Sequence, residues 1–313
     1  IATDVSSDKL FKGRKLRSKQ IAFQVSDKGL NLSGNATLDS VPAKFNWSQA
    51  FVDNPTQVSQ LNSSLTLNQQ ALDVFNVSLP DGSFSGSTPA SFNVKLLPQK
   101  PAAFDLTSNL KGATLRIDSL GWRKGKNQKG SLKVVGKLTE PIQIDSIQVN
   151  ASGLTAKGNI TLQKDGQFRE ANFPTVKIDK WLSTSVTLTG VGNDATTRLQ
   201  GGVMDLRKLD IGGSGGEKAG PLDIALDRLR ITDDQSLTSF SASISRNGAP
   251  TGRFSDRVNG GARIKGEIKR GKHGAQIIVS GQSAGAVLKS AGFFDNIEGG
   301  VMRMVLEPTA ETD

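Results

Sequence analysis

One pattern occurs twice and limits what the chain can fold into. Residues 25–38 read VSDKGLNLSGNATL and residues 149–162 read VNASGLTAKGNITL. Half of the positions are identical, including both glycines and the Asn that follows the second. In the first copy Leu30, Leu32, Gly34, Ala36 and Leu38 alternate with Asn31, Ser33, Asn35 and Thr37. In the second, Leu154, Ala156, Gly158, Ile160 and Leu162 alternate with Thr155, Lys157, Asn159 and Thr161. Successive side chains of a strand point to opposite faces, so each copy is a strand with one apolar and one polar side. The apolar side has to be covered, and its cover decides the function.

The alternation continues elsewhere. Phe45 and Trp47, Phe92 and Val94, Leu132 and Val134, Leu222 and Ile224, and Ile277 and Val279 each share a parity. The clearest case sets Ala262, Ile264, Gly266 and Ile268 against Arg263, Lys265, Glu267 and Lys269. Turn signals separate such runs by ~8–12 residues, the spacing of an antiparallel sandwich, barrel or extended sheet. Polar–apolar alternation argues against a parallel sheet covered on both faces. A slip of parity over Asp145-Ser146 predicts a bulge or turn. Two segments break the period. NQQALDVF (68–75) places Ala71, Leu72 and Phe75 at helical spacing behind Asn68 as cap, and SAGAVLKSA (283–291) does the same behind Ser283. The expected fold is therefore all-β, mainly antiparallel, built of quasi-repeats with two short helices. Glu140-Pro141 separates segments 1–139 and 140–313 of what reads as one continuous sheet.

The composition argues against chemistry. There is no Cys, and the one His, His273, lies in the turn RGKHG. Cys/His zinc sites are therefore excluded, and no G-x-S-x-G elbow supports a Ser–His pair. The loop GGSGGEKAG (212–220) lacks the G-K-[ST] ending of a phosphate loop and reads as a flexible connection. Asp205, Asp210 and Asp233-Asp234 read as turn and cap residues. No catalytic residue, cofactor or metal is expected.

The net charge is +10, but the cations mostly sit singly on the polar sides of strands. The basic start (Lys12, Arg14, Lys15, Arg17, Lys19) reads as a guarded strand edge. Aromatic residues do not interleave with it, so no nucleic-acid partner is expected. RKGKNQKG (123–130) reads as a basic hairpin turn. No run approaches the ~18 apolar residues of a membrane span. The chain begins at Ile1 and reads as a fragment or a processed chain.

Several stretches resemble AsmA-like bacterial envelope proteins of the YhdP type. They are LKGATLRIDSLGWRKGKNQKGSLKVVGKL (110–138), the second copy of the repeat with its following Trp181-Leu182, PLDIALDRLRITD (221–233), TGRFSDRVNGGARIKGEI (251–268) and SAGAVLKSAGFFDNIEGGVMRMVL (283–306). The resemblance implies an elongated, curved β-sheet groove with an apolar concave face. It also implies a periplasmic setting within a parent anchored in the inner membrane. The implied function is non-enzymatic conduction of phospholipid between inner and outer membranes, with further membrane components as partners.

Physical chemistry agrees with such a design. Acyl chains crossing water need shielding worth ~0.8 kcal/mol per CH₂, and headgroups do not. Leu30, Leu32, Ala36, Leu38, Leu154, Ala156, Ile160, Leu162, Ile264 and Ile268 are the expected lipid-facing residues. Gly34, Ala36, Ala156, Gly158, Ala262 and Gly266 are expected to leave room for the chains. The competing reading is a closed sandwich or solenoid with a structural or adhesive role in the envelope, because period-2 parity is the same under protein and under lipid.

Overall fold

A computed structural model describes residues 1–313 apart from 12–13, 52–57, 76, 78, 80–81, 118–119, 121, 166, 191–194, 209–218, 247–248, 273 and 308–313. His273, Asp210 and most of the 212–220 glycine loop lie outside the described residues. The protein is mainly antiparallel β-structure with two short helices. Among the described residues, nineteen strands belong to one sheet and three to a small second one. Two compact units divide the chain at Arg169/Glu170.

The first unit contains β1 (Ala2–Phe11), β2 (Arg14–Ser26), β3 (Gly29–Leu38), β4 (Val41–Ala50), β5 (Ser59–Leu67), α1 (Gln69–Val74), β6 (Phe84–Gly86), β7 (Thr88–Leu96), β8 (Ala103–Ser108), β9 (Ala113–Ile117), β10 (Trp122–Lys124), β11 (Gly130–Lys137), β12 (Gln143–Ala151) and β13 (Leu154–Leu162). Its main ladder is an antiparallel meander from β1 to β13 that leaves out β6, β9 and β10, which pair among themselves. Strands β11 to β13 continue this ladder through β8, which ties residues beyond Glu140-Pro141 to the first unit.

The repeated pattern makes the second strand of two hairpins. In the first, Val25 faces Leu30; in the second, the matching Val149 faces Ala156. The pairing has moved by two residues, and a side-chain period of two leaves the same set of residues on the apolar face. Ser152 and Gly153, both at positive φ, form the tight turn of the second hairpin. The slip expected near Asp145-Ser146 is a bulge between Ile144 and Ile147. The basic start is not an edge, since β2 is flanked by β1 and β3 and the outer position falls to β1.

The second unit contains β14 (Phe168–Ile178), β15 (Leu182–Thr189), β16 (Thr196–Asp205), β17 (Ala219–Arg230), β18 (Ser236–Arg246), β19 (Thr251–Val258), β20 (Arg263–Arg270), β21 (Ala275–Gly281), α2 (Ala284–Ser290) and β22 (Met302–Leu306). Successive strands pair antiparallel, except that β16 and β17 run parallel. Irregularities line up across this ladder. The register shifts between Ser183 and Ser185, Gly201 and Gly202 take positive φ, and Ser239 sits at φ 51 where β18 bulges. The Thr184 hydroxyl fills the gap by donating to the Gly201 carbonyl at 2.8 Å, and the Gly202 N–H donates to Asp227 Oδ2 at 2.7 Å. Leu226 and Leu229, three apart, are consequently both buried.

Both helices start at the expected caps. Asn68 Oδ1 accepts from the Ala71 N–H at 2.9 Å, and Ser283 Oγ accepts from the Ala286 N–H at 3.2 Å. Each helix packs its apolar side on its own unit's sheet. Ala71 and Val74 of α1 meet Val41, Leu67 and Ala90. Val287 of α2 meets Val258, Ile264 and Val279.

Candidate functional site: the apolar sheet face

The cross-strand registers resolve the apolar side of the first unit into rows. One row runs Phe23, Leu32, Trp47, Leu61, Val94, Phe104, Gly136, Ile144 and Ile160, one residue from each of nine strands. The next row runs Ile21, Gly34, Phe45, Ser63, Phe92, Leu106, Val134, Ile147 and Gly158. Hydroxyls on this face turn back to the protein. Ser63 Oγ donates to the Phe92 carbonyl at 2.7 Å, and Ser108 Oγ donates to the Pro89 carbonyl at 2.8 Å and lies 3.0 Å from Thr88 Oγ1. These hydroxyls are thus satisfied within the protein and leave the rows without a free donor at Ser63 and Ser108.

Eight of the ten expected lining residues lie on this face: Leu30, Leu32, Ala36 and Leu38 on β3, and Leu154, Ala156, Ile160 and Leu162 on β13. Ala36, Leu154 and Ala156 are buried, and the other five are half-buried. Ile264 and Ile268 occupy the apolar side of β20 in the second unit, Ile264 beneath α2 and Ile268 half-buried beside Ile277. The row Phe173, Val186, Leu199, Ile224, Ala242, Phe254, Gly266, Val279 and Met304 is that unit's equivalent. Its buried positions include Leu199 at 2% and Leu226 at 1% exposure, comparable to Val94 at 2% in the first unit, while Phe173, Ile224 and Phe254 are half-buried.

Three glycines of these rows, Gly34, Gly136 and Gly266, do not leave free space. Gly34 faces Phe45, Gly136 faces Phe104 and Gly266 faces Phe254 across the ladder. A Cβ on Gly266 would sit 1.9 Å from the Phe254 ring, and one on Gly136 would sit 2.9 Å from the Phe104 ring. Each ring lies over its glycine partner and fills the slot, so the expected room for acyl chains at Gly34 and Gly266 is taken by aromatic side chains.

Two charged residues besides Asp205 are buried where the sequence reading placed none. Lys124, within the expected basic turn, has no exposed surface. Its Nζ donates to the carbonyls of Leu110 at 2.5 Å, Ala113 at 2.7 Å and Gly125 at 3.2 Å, and desolvation lowers its pKa. It pins the small sheet together, and the Trp122 indole N–H fixes that sheet to the Ser152 carbonyl at 3.0 Å. Asp256 is the second. It shares a face with Phe254 and Val258, opposite Ile264, and is 5% exposed. Neither carboxyl oxygen has a hydrogen-bond partner among the described residues, and burial pushes its pKa from 3.8 up to about 7. The signal in the sequence was an Asp in phase with Phe254 and Val258.

The remaining charges serve structure. Asp205 holds Arg207 through both carboxyl oxygens, 2.9 Å to Nε and 2.8 Å to Nη2, and Arg207 reaches on to Asp233 at 2.8 Å. These hydrogen bonds lower the Asp205 pKa to about 2. On the polar face a shallow concavity carries Arg198, Asp223, Arg253 and Lys265, with Arg198 paired to Asp223 at 3.7 Å. Among the described residues, no cluster of side chains could hold a metal ion. No helix there is long and apolar enough to cross a membrane. Comparisons with family models, curated proteins and solved structures return no match to this chain.

Proposed function

We propose that the protein is a non-enzymatic lipid-binding segment whose apolar sheet face shields phospholipid acyl chains. In this reading it conducts them between inner and outer membranes as a periplasmic part of an AsmA-like, YhdP-type envelope protein. The observation that carries the reading is that the first unit's apolar rows are half-buried at most positions, with Ile21, Val94 and Phe104 the buried side chains among them. Leu32, Trp47, Leu61, Phe92, Leu106 and Ile160 are aligned across the strands and only partly covered. Of the described helices in that unit, only the six-residue α1 packs there, over the ends of the rows at Val41, Leu67 and Ala90. An apolar face left wet costs ~25 cal/mol per Å², and acyl chains remove that cost without asking for hydrogen bonds.

Ile160→Asp places a charge among these rows at a half-buried site. It abolishes transfer of fluorescent phospholipid between vesicles and leaves the circular dichroism spectrum intact. Global unfolding of this variant would instead indicate a closed protein core.

A further inference from the structure

The loop between α2 and β22 holds apolar side chains out to water although it is tied down at both ends. Gly292, at φ 72, closes the helix: its N–H donates to the Lys289 carbonyl, and the Phe293 N–H donates to the Leu288 carbonyl, both at 3.0 Å. The other end returns to the start of the helix. There the Ala284 and Gly285 N–H groups donate to the Gly300 and Gly299 carbonyls at 2.8 and 3.0 Å. Gly285 permits this approach, since a Cβ there would meet the Ile297 carbonyl oxygen at 2.1 Å. In a helix end of this type the residue after the glycine usually packs back on the helix. Here Phe293 is 67% exposed, with Phe294 at 57%, Ile297 at 44% and Val301 at 84%. The patch runs on into the edge of the sheet through Met304 and Leu306, also exposed.

We propose that this loop is a membrane-docking element that inserts Phe293, Phe294, Ile297 and Val301 into the surface of a phospholipid bilayer. A loop tied at both ends that carries two adjacent exposed Phe next to its helix offers an apolar surface to a partner, and a bilayer interface accepts such side chains to a depth of roughly 5–10 Å. Lys289 and Arg303 flank the patch while Asp295 and Glu298 lie within it, so insertion rests on apolar contact. Attraction to anionic lipid comes from the chain's net charge of +10. The purpose of docking rests on the lipid-handling reading, but the docking itself is measured separately from lipid carriage.

The test is flotation of the purified chain with phosphatidylcholine vesicles, with and without phosphatidylglycerol. The wild-type chain floats with both and more strongly with the anionic mixture. Phe293→Ser/Phe294→Ser, two exposed sites, lowers the bound fraction roughly tenfold or more, with unchanged thermal melting and unchanged co-purifying lipid. Phe294→Trp shows a blue-shifted emission on vesicle addition. Ile160→Asp floats like the wild type, which separates docking from carriage. Flotation of the double variant equal to wild type, absence of wild-type flotation, or a Trp emission that vesicles do not shift overturns the proposal. So does a double variant that turns a dimer into a monomer, since the patch would then serve a second copy of the chain.

Discussion

Asp256 makes the stability of the second unit fall with rising pH. Its carboxyl has no partner on either oxygen among the described residues, and the apolar-face positions around it are Phe254 and Val258 on its own strand and Ile264 across the ladder. Its charged form is therefore disfavoured in the folded state, and its pKa rises from 3.8 to about 7. Below pH 3.8 the group is protonated folded and unfolded, and contributes no pH dependence. Between 3.8 and about 7 the unfolded chain has released the proton and the folded chain keeps it, so folding loses about 1.4 kcal/mol per pH unit. Above about 7 the penalty levels off, at no more than about 4 kcal/mol in total. Asp256→Asn keeps the shape and removes the titration. Urea unfolding of both proteins from pH 4 to pH 9 isolates the effect. The variant's advantage should be smallest at pH 4, grow steadily to pH 7 and then stay constant. An advantage that does not change with pH would refute the reasoning and would mean that water or a polar group reaches the carboxyl.

Lys124→Met keeps the aliphatic stem but takes the ammonium donor away from the carbonyls of Leu110, Ala113 and Gly125; Leu110 and Gly125 keep the N–H groups of Ala113 and Gln128, so the expected cost in chemical denaturation is about 1–3 kcal/mol. Gly266→Ala drives a methyl into the Phe254 ring and should cost about 1–3 kcal/mol. The same change combined with Phe254→Leu should recover part of that loss, which a double-mutant cycle measures.

Features set by local pattern could be read directly from the sequence. Both helices lie where the period broke, and Asn68 and Ser283 cap them as expected. The two copies of the repeat form strands with the expected parity, and their differing register was invisible because a two-residue shift preserves every face. Features that depend on the partner across the ladder could not be read. Gly34 and Gly266 looked like vacant space until Phe45 and Phe254 were found opposite them. Lys124 looked solvated because its acceptors at Leu110 and Ala113 come from elsewhere in the fold. The parallel pairing of β16 with β17 follows a connection whose course a periodicity argument does not give. Asp256 could have been recognised from its phase with Phe254 and Val258. The face of the ten proposed lining residues was legible from alternation, but its degree of cover was not, because cover depends on α1, α2 and the opposing side chains.

Native mass spectrometry with lipid extraction tests the central claim most directly, applied to the wild-type chain and to Ile160→Asp. The account predicts phospholipid bound to the wild-type chain and none bound to a folded Ile160→Asp. A bare wild-type mass, together with no binding of added phospholipid, would contradict it and leave a closed β-protein with a structural role.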